Sequence, residues 1–334
     1  MPFQLRQLRH LLALAEHGSF GRAATALGMT QPALSRSIKE LEHDVGGALF
    51  VRTPSGVTPS DEGRLLIQRA REVVYAADEL DREVLRRRVP GAEQLAIGAG
   101  PYPGETIVPD ALARLVAAHP LARVRVVQRD WDELLRRLRA REIDFFVGEL
   151  STLEGEPDLD IETLGEHQVY FVGRRGHPLA RRAGVRAGDT FAHPFVALGR
   201  YPPRALRPML AARREGDPVR PGRPFPAVEL GTLAAVKRLV ADSDAIAALP
   251  LPTLAEELER GTLAVLGTEP WMTLRYGFVG LKGRDPGAAA VELRALVREA
   301  EAKLRRDEAR LAARFVPEPK RRPSAGRPAV PANE

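Results

Sequence analysis

The most restrictive feature of the sequence lies in residues 19–41, which read as two short helices joined by a tight turn. Small and apolar side chains recur at helical spacing through residues 20–27, which predicts a helix that a neighbouring helix can approach closely. Gly28 then ends this helix, and Thr30 and Pro32 are residue types typical of an N-cap and a first helical turn. The segment therefore predicts a helix-turn-helix.

The second of these helices has two contrasting faces. At about 100° per residue, Leu34 and Ile38 fall on one narrow apolar stripe, which predicts a buried face. The opposite side carries Ser35, Arg36 and Lys39, whose donors suit base edges and phosphates in a DNA major groove. A solvated helix of a bundle is the alternative interpretation, but such a helix needs neither the small-residue helix nor the capped turn before it.

A β-hairpin is predicted directly after this helix. Residues 48–52 favour a strand, residues 53–56 have turn composition, and residues 57–58 can return as a second strand. Arg52 near the tip can reach a phosphate or the minor groove, although a solvent-facing arginine is an equally common arrangement. The pair Thr58-Pro59 resembles another N-cap and first turn, which predicts a further helix.

Two runs of sequence carry a family resemblance: LRQLRHLLALAEHGSFGRAATALGMTQPALSRSIKELEHDVGGALFVRT at residues 5–53 and VTPSDEG at residues 57–63. Through them the chain resembles the DNA-binding domain of the LysR-type transcriptional regulators. The resemblance implies a winged helix-turn-helix over residues 1–60 that binds promoter DNA. Together with the polar helix face, it selects these candidate DNA-binding residues: Thr30, Gln31, Pro32, Ser35, Arg36, Lys39 and Arg52.

Residues 61–90 are predicted to form one long helix that self-associates. Apart from Gly63, residues 60–88 contain no glycine or proline, and apolar residues alternate at spacings of four and three, as in a two-stranded coiled coil. This seam consists of Leu66, Ala70, Val73, Ala77, Leu80 and Val84. A monomer can also bury such a stripe against its own body, but a helix this long overhangs a small winged domain. The resemblance likewise implies that this linker pairs two DNA-binding heads.

Beyond residue 91 the pattern changes to alternating strands and helices, which predicts an α/β domain with a parallel sheet. Two successive sets of this pattern, with GHPLA at residues 176–180, resemble the LysR effector-binding domain, which is similar to a periplasmic binding protein. The expected fold class is therefore α/β: an all-α winged helix-turn-helix with a linker helix, then a two-lobed α/β effector domain. The effector-binding domain is expected to span residues 91–315. Its lobe I is expected at residues 91–164 and 271–315, and its lobe II at residues 165–270.

Ligands of open α/β sheets bind beyond the carboxyl ends of the strands, which in a two-lobed fold lie at the cleft. The candidate effector-binding residues after the predicted strands are Tyr102, Trp131, Arg200, Tyr201 and Thr232. Three flat aromatic side chains and one guanidinium suit a small organic anion, including an aromatic one. Ordinary loop aromatics and a surface arginine are the alternative. Asp242 and Asp244 are expected at the cleft rim.

Composition removes several other classes of protein. The chain has 334 residues and is 44% hydrophobic, which is enough for two or three packed domains. It has no cysteine, so disulfides, thiolate zinc sites and cysteine nucleophiles are excluded, and the histidines show no metal-ligand spacing. We expect no cofactor and no metal. The N-terminal segment has no signal-peptide core and no apolar run is long enough for a membrane span, so the expected location is the cytoplasm.

Residues 303–334 hold nine basic and four acidic side chains, a balance of +5 out of the net charge of +6, so the net charge is weak support for DNA binding by the N-terminal domain. Residues 316–334 are rich in proline and arginine and nearly free of apolar residues, which predicts disorder. A solvated extension is the favoured interpretation of this tail, and nonspecific DNA contact is the alternative.

Two rival classes of protein fit parts of the sequence. An enzyme is suggested by the Gly98-Ala99-Gly100 run after a strand, but Pro101 and Pro103 remove the N–H groups that a dinucleotide pyrophosphate needs. A periplasmic solute receptor is disfavoured by the winged head. The sequence therefore favours a non-enzymatic, effector-controlled transcriptional regulator. The resemblance implies a homotetramer that contacts RNA polymerase only indirectly, and promoter DNA retention on a column separates this class from its rivals.

Overall fold

The computed structural model describes residues 4–54, 56–88, 94–182, 184–213, 224–283 and 287–316. The helices are α1 Leu5–His17, α2 Phe20–Ala26, α3 Gln31–Val45, α4 Asp61–Arg88, α5 Pro101–Glu105, α6 Ile107–Ala118, α7 Trp131–Arg139, α8 Ala187–Thr190, α9 Pro203–Ala211, α10 Leu233–Ala241, α11 Ala255–Arg260 and α12 Ala288–Phe315. The strands are β1 Phe50–Thr53, β2 Gly56–Pro59, β3 Gln94–Ala99, β4 Arg123–Gln128, β5 Phe145–Glu149, β6 Leu159–Arg174, β7 Phe195–Leu198, β8 Val228–Leu230, β9 Ile246–Pro250, β10 Leu263–Gly267 and β11 Thr273–Leu281.

The N-terminal head is a small helical domain with a two-stranded wing. Its core joins α1, α2 and α3 through residues such as Leu11, Ala23 and Leu34, all of which are fully buried or nearly so. The strands β1 and β2 pair antiparallel to form the wing. The predicted helix start at Thr58-Pro59 is wrong, because both residues lie in β2.

The Ser60 side chain caps α4 instead. Its Oγ accepts a hydrogen bond from the Gly63 N–H at 2.9 Å and donates one to the Ala48 carbonyl at 2.7 Å. Gly63 must remain glycine, because a Cβ there would collide with the carbonyl oxygen of Leu49. The start of α4 is thereby fixed to the base of the wing.

The predicted seam of α4 is divided between two environments. Ala70 is 2% exposed and lies with Ile67 in the core of the head. Further along the helix, Val73, Leu80 and Val84 are exposed, with 64% of Leu80 accessible to solvent. The first part of the expected stripe therefore stabilises the protomer itself, and only the later part is free to meet a second copy.

The second domain contains one continuous nine-stranded sheet. The strand order is β4-β3-β5-β11-β6-β9-β7-β8, with β10 paired to β6 outside this path. Strands β3, β4 and β5 are parallel, as the sequence predicted, and β7 is parallel to both β8 and β9. Each parallel set forms the centre of one lobe, so the two-lobed α/β architecture is confirmed.

Strand β6 was not predicted, and it connects the two lobes. Its 16 residues pair first with β11 of lobe I and then with β9 and β10 of lobe II. The expected boundary between the lobes at residues 164 and 165 is therefore a point along one extended strand. A register shift opposite Tyr276 and Gly277 marks this point.

Helix α12 also belongs to both lobes. Leu293 and Val297 lie in the core of lobe I, whereas Leu311 lies in the core of lobe II. The expected assignment of all of residues 271–315 to lobe I therefore fails at the end of α12. Most of the predicted tail, residues 317–334, lies outside the described residues. Within the described part of the chain, no helix is long and apolar enough to span a membrane.

Candidate functional site

Helix α3 presents a polar face to solvent at its N-terminal end. Thr30 lies at the N-cap, where its Oγ1 accepts from the Ala33 N–H at 3.4 Å, and Pro32 lies in the first turn. Leu34 and Ile38 hold the other face in the core, at 0% and 2% exposure. The buried stripe therefore fixes which residues of α3 point outward.

The outward residues include most of the predicted DNA-binding set. Gln31, Arg36 and Lys39 are exposed, and Ser35 is half-buried beside them. Among the described residues, neither Arg36 nor Lys39 has an ion-pair partner. Unpaired cations and amide groups on one helix face can approach phosphates and base edges without first losing a protein contact.

The wing is held to α3 by a residue that the sequence did not single out for this role. The Glu42 Oε1 accepts from the Leu49 N–H at 2.8 Å and from the Phe50 N–H at 3.4 Å. Strand β2 of the wing also contacts the residue that caps the end of α1: the Val57 N–H donates to the Gly18 carbonyl at 2.9 Å. Arg52 is exposed on β1, at the surface of the wing.

The second candidate site is a cavity of about 150 Å³ between the two lobes. Lobe I contributes the segments that follow β3 and β4 and the last residue of β5, and lobe II contributes residues from β6, β7, α9 and β9. This position, beyond the carboxyl ends of parallel strands, is the expected one for a ligand. Most of its wall is apolar, formed by Phe171, Phe195, Leu206, Met209, Phe225 and Trp271.

Four of the five predicted effector residues line this cavity. They are Tyr102, Trp131, Arg200 and Tyr201. Thr232 does not: it caps α10, where its Oγ1 accepts from the Ala235 N–H at 3.4 Å, and its side chain is exposed.

Arg200 does not present a free guanidinium to the cavity. Its Nη1 lies 2.5 Å from the Asp132 Oδ2, and its side chain is 63% exposed. The Arg200 N–H also donates to the Asp130 Oδ1 at 3.4 Å. Because Asp130 and Asp132 belong to lobe I and Arg200 to lobe II, these contacts connect the two lobes at the mouth of the cavity.

Two carboxylates outside the predicted effector-binding set line the cavity. They are Asp130 and Glu149, and burial raises the pKa of each carboxyl. The Glu149 Oε1 accepts from the Ser151 N–H at 2.9 Å. Its Oε2 is buried without a hydrogen-bond partner among the described residues, and the same holds for the Tyr102 hydroxyl.

The expectation that Asp242 and Asp244 lie at the cleft rim is wrong. Asp244 pairs with Arg174 at 2.7 Å, and Asp242 is exposed near Arg238. Both aspartates precede β9, whereas the cavity lies at the opposite, carboxyl end of that strand. A strand of five residues separates the two ends.

A buried polar cluster lies behind Tyr102, at the point where β6 passes between the lobes. The His167 Nδ1 lies 2.5 Å from the Glu308 Oε2, and its Nε2 lies 3.1 Å from the Glu301 Oε1. Tyr276 donates from its hydroxyl to Glu301. Burial alone would lower the pKa of His167, but the two glutamates outweigh it and raise that pKa to about 9. No pattern in the sequence indicated this cluster, because His167 is more than 100 residues from its partners along the chain.

Comparison with family models finds two matches that together cover most of the chain. Residues 5–64 match the "Bacterial regulatory helix-turn-helix protein, lysR family" model. Residues 90–302 match the "LysR substrate binding domain" model.

Two relatives are similar over most of their length. The "SDS degradation transcriptional activation protein" of a Pseudomonas species is 37% identical over 304 residues, covering 90% of this chain and 97% of the relative. The "HTH-type transcriptional regulator GalR" of Pseudomonas putida is 30% identical over 298 residues, covering 89% of this chain and 74% of the relative.

Solved structures share the fold. A single-residue variant of full-length OxyR from Pseudomonas aeruginosa has a TM-score of 0.59 at 21% identity, covering 90% of this chain and 94% of that one. CbnR, described as a LysR family transcriptional regulator, has a TM-score of 0.60 at 18% identity, covering 90% of this chain and 99% of that one. A further structure holds full-length CbnR with its target DNA, at a TM-score of 0.58 and 18% identity, covering 89% and 100% of the two chains.

Proposed function

The chain belongs to the LysR family of transcriptional regulators, and from that premise we propose which of its surfaces bind DNA, effector and a second copy. It joins a helix-turn-helix DNA-binding domain to an effector-binding domain, and its relatives are transcriptional regulators. The exposed face of α3 is the proposed reading surface, with Gln31, Ser35, Arg36 and Lys39 in the major groove. Arg52 on the wing is the proposed contact to a phosphate or the minor groove.

One observation carries this proposal: Arg36 and Lys39 are exposed on α3, with no ion-pair partner among the described residues, beside a buried stripe that fixes their direction. Many arginines elsewhere on this surface are engaged by carboxylates, as Arg200 is by Asp132. A cationic side chain without a carboxylate partner can bind a DNA phosphate without first breaking an ion pair in the protein, so its binding costs less free energy.

The test uses the full-length chain and an operator selected from random duplex DNA. We expect Arg36→Ala to weaken specific binding by about 1–3 kcal/mol, which is the range for a side chain that reads a base. Arg238→Ala is the matched control, because this arginine is exposed on the effector domain and its nearest carboxylate is 3.7 Å away. Equal operator affinities of wild type and the Arg36 variant in a gel-shift titration would remove Arg36 from the reading surface.

We assign effector binding to the cavity between the lobes, with Tyr102, Trp131 and Tyr201 as its aromatic contacts. A ligand that touches both lobes can shift their relative orientation only by binding one arrangement more tightly than another. The contacts of Arg200 with Asp130 and Asp132 join the two lobes at the mouth of the cavity, so a change in lobe orientation would alter them directly. Regulation therefore consists of a population shift between lobe arrangements that changes how the paired heads sit on DNA.

The proposed assembly is a homotetramer that acts in the cytoplasm and affects RNA polymerase indirectly. The exposed part of the α4 stripe supports pairing of two chains, and the tetramer rests on the family resemblance alone. The proposed domain bounds are residues 1–60, 61–90 and 91–315, with the end of α12 reassigned to lobe II.

A further inference from the structure

We propose that the interlobe cavity binds a molecule with an apolar tail and a hydrogen-bond-donating head that carries no negative charge. A medium-chain primary alcohol is the simplest member of this class. The inference names the effector class of the proposed function and so rests on that function. It also replaces the organic anion expected from the sequence.

The size and walls of the cavity favour an apolar tail. An engineered apolar cavity of about 150 Å³ in another protein stays dry and binds benzene, so this one has room for a ring or a short alkyl chain. Lobe II contributes packed aromatic rings, with 4.8 Å between the centroids of Phe195 and Phe225 and 6.4 Å between those of Phe171 and Phe195. Rings that already hold one another form a fixed wall, so little ordering is needed when a tail binds.

The polar atoms inside the cavity favour a ligand that donates a hydrogen bond. The Glu149 Oε2 is a buried acceptor without a hydrogen-bond partner among the described residues, and a bound hydroxyl or ammonium group would satisfy it. Tyr102 also lines the cavity, and its hydroxyl is buried without a hydrogen-bond partner among the described residues. Glu149 ends β5, which pairs in parallel with β3, and Tyr102 follows the end of β3.

The charges around the cavity disfavour an anion. Asp130 and Glu149 both line it, and burial makes the charged form of each carboxyl costly even before another anion enters. Arg200 is already paired with Asp132. Arg204 is exposed, does not line the cavity, and lies 3.5 Å from the Thr273 Oγ1. Its charge lowers the pKa of the Glu149 carboxyl, but burial raises that pKa by more. Within the described part of the chain, no unpaired cation lines the cavity wall.

The experiment compares four probes that share one tail: 1-hexanol, hexylamine, hexanoate and hexyl sulfate. Binding to the full-length chain is followed by calorimetry and by thermal stabilisation, which increases with ligand concentration over Kd. We expect the alcohol and the amine to bind at least about tenfold more tightly than either anion. Anions that bind as tightly as the alcohol, or no binding by any probe up to its solubility limit, would overturn the proposal.

Two variants test the two ends of the ligand separately. Ala205→Leu adds bulk to the cavity wall from α9 and should weaken 1-hexanol binding at least about tenfold. Glu149→Gln removes a negative charge but keeps an acceptor, so it should narrow the difference between alcohol and anions while leaving hexanol affinity within about threefold. If this variant prefers the alcohol over the anions as strongly as the wild type does, the Glu149 carboxylate is not the cause of that preference. Melting without ligand confirms that each variant folds.

Failure of this inference and failure of the proposed function give different results. Binding of the wild-type chain to its selected operator, measured without any probe, tests the regulator function alone. If the chain binds its operator but prefers hexanoate to 1-hexanol, the proposed regulator function stands and the proposed ligand class is wrong. A chain that binds no operator loses the function whatever the probes show.

Discussion

At the residue scale, the mouth of the cavity shows how exposure limits what an ion pair contributes. Arg200 and Asp132 are close, but their side chains are 63% and 38% exposed. Water and salt screen such a pair, and holding two flexible side chains together costs entropy. The backbone contact of Arg200 with the half-buried Asp130 is less exposed to this screening.

The first prediction concerns this pair. Arg200→Ala should change the free energy of unfolding by less than about 1 kcal/mol, because the lost contact is a screened surface ion pair. Urea denaturation at low and at physiological salt measures the effect, and the difference should shrink as salt rises. A loss above about 2 kcal/mol would contradict the assignment of Arg200 to the surface.

The same residues show which parts of a site can be predicted from sequence. Tyr102, Trp131 and Tyr201 were found because they follow strands, and the carboxyl end of a strand has a fixed position in this architecture. The pairing of Arg200 was not foreseeable, because Asp132 is 68 residues away in another lobe. Asp130 precedes Trp131 after β4 and Glu149 ends β5, so both carboxylates occupy the kind of position by which the aromatic residues were found, but the predicted set left them out. Thr232 was predicted at the cavity although it only caps a helix.

At the element scale, α4 serves two functions with adjacent faces. Ile67 and Ala70 fasten its start to the head, and Val73, Leu80 and Val84 form an exposed apolar stripe further along. A long helix stabilised by packing only at its start gains from a partner that covers the rest. The heptad spacing predicted the apolar positions, but it could not tell which of them the head would bury.

The second prediction tests this stripe. Leu80→Asp should convert the assembly to smaller species, because a carboxylate in a paired-helix seam loses its hydration without gaining a partner. Operator affinity should fall with it, since two linked heads bind two half-sites more tightly than one head binds one. Sedimentation velocity measures the assembly.

A matched control separates charge from position. Gln68→Asp introduces the same side chain at an exposed position of α4 that lies about 120° around the helix axis from Leu80. This variant should keep the wild-type sedimentation coefficient. If Leu80→Asp also keeps it, the stripe packs elsewhere and the proposed pairing through α4 fails.

Strand β6 is an element that the pattern of apolar residues did not predict. The first ten residues of this strand, in lobe I, read LDIETLGEHQ, and their apolar alternation stops after Leu159 and Ile161. Pairing with β11, rather than the pattern of side chains, holds these ten residues extended. A pattern-based prediction recognises strands by their buried faces, so it missed the strand that joins the two lobes.

At the scale of the whole molecule, the lobes are joined by three connections: β6, the chain between β10 and β11, and α12. His167 on β6 lies at the centre of this junction, with no exposed side-chain surface, bound to Glu301 and Glu308 of α12. Tyr102 on the cavity side packs against its ring at 5.5 Å between centroids. The cavity and the junction are therefore in direct contact.

The ionisation state of this junction follows from the groups around His167. Helix α12 contributes Glu301 and Glu308, which bond His167, and Arg305, which bonds Glu301. Tyr276 of β11 and Tyr102 of α5 contact the His167 ring. The charge of Glu308 also acts on Tyr170 of β6. Burial raises the pKa of all three tyrosines, so they stay neutral through the alkaline range that matters here. Burial alone would raise the pKa of Glu301, but its bonds with His167, Tyr276 and Arg305 lower it instead. His167 is thus a protonated group between two carboxylates at neutral pH.

The last prediction is that the molecule loses stability as this proton leaves. A histidine whose pKa is raised to about 9 in the folded state contributes its full stabilisation below its unfolded value of about 6.5 and loses it as pH rises through 9. The melting temperature of the wild type should therefore fall between pH 7 and about pH 9.5. His167→Gln should be less stable at pH 7, because Glu308 loses its cationic partner and the buried Glu301 keeps only Arg305. Its melting temperature should change less over the same range. The two curves, measured by circular dichroism, should converge as pH rises, and parallel curves would show that His167 is neutral in the folded protein.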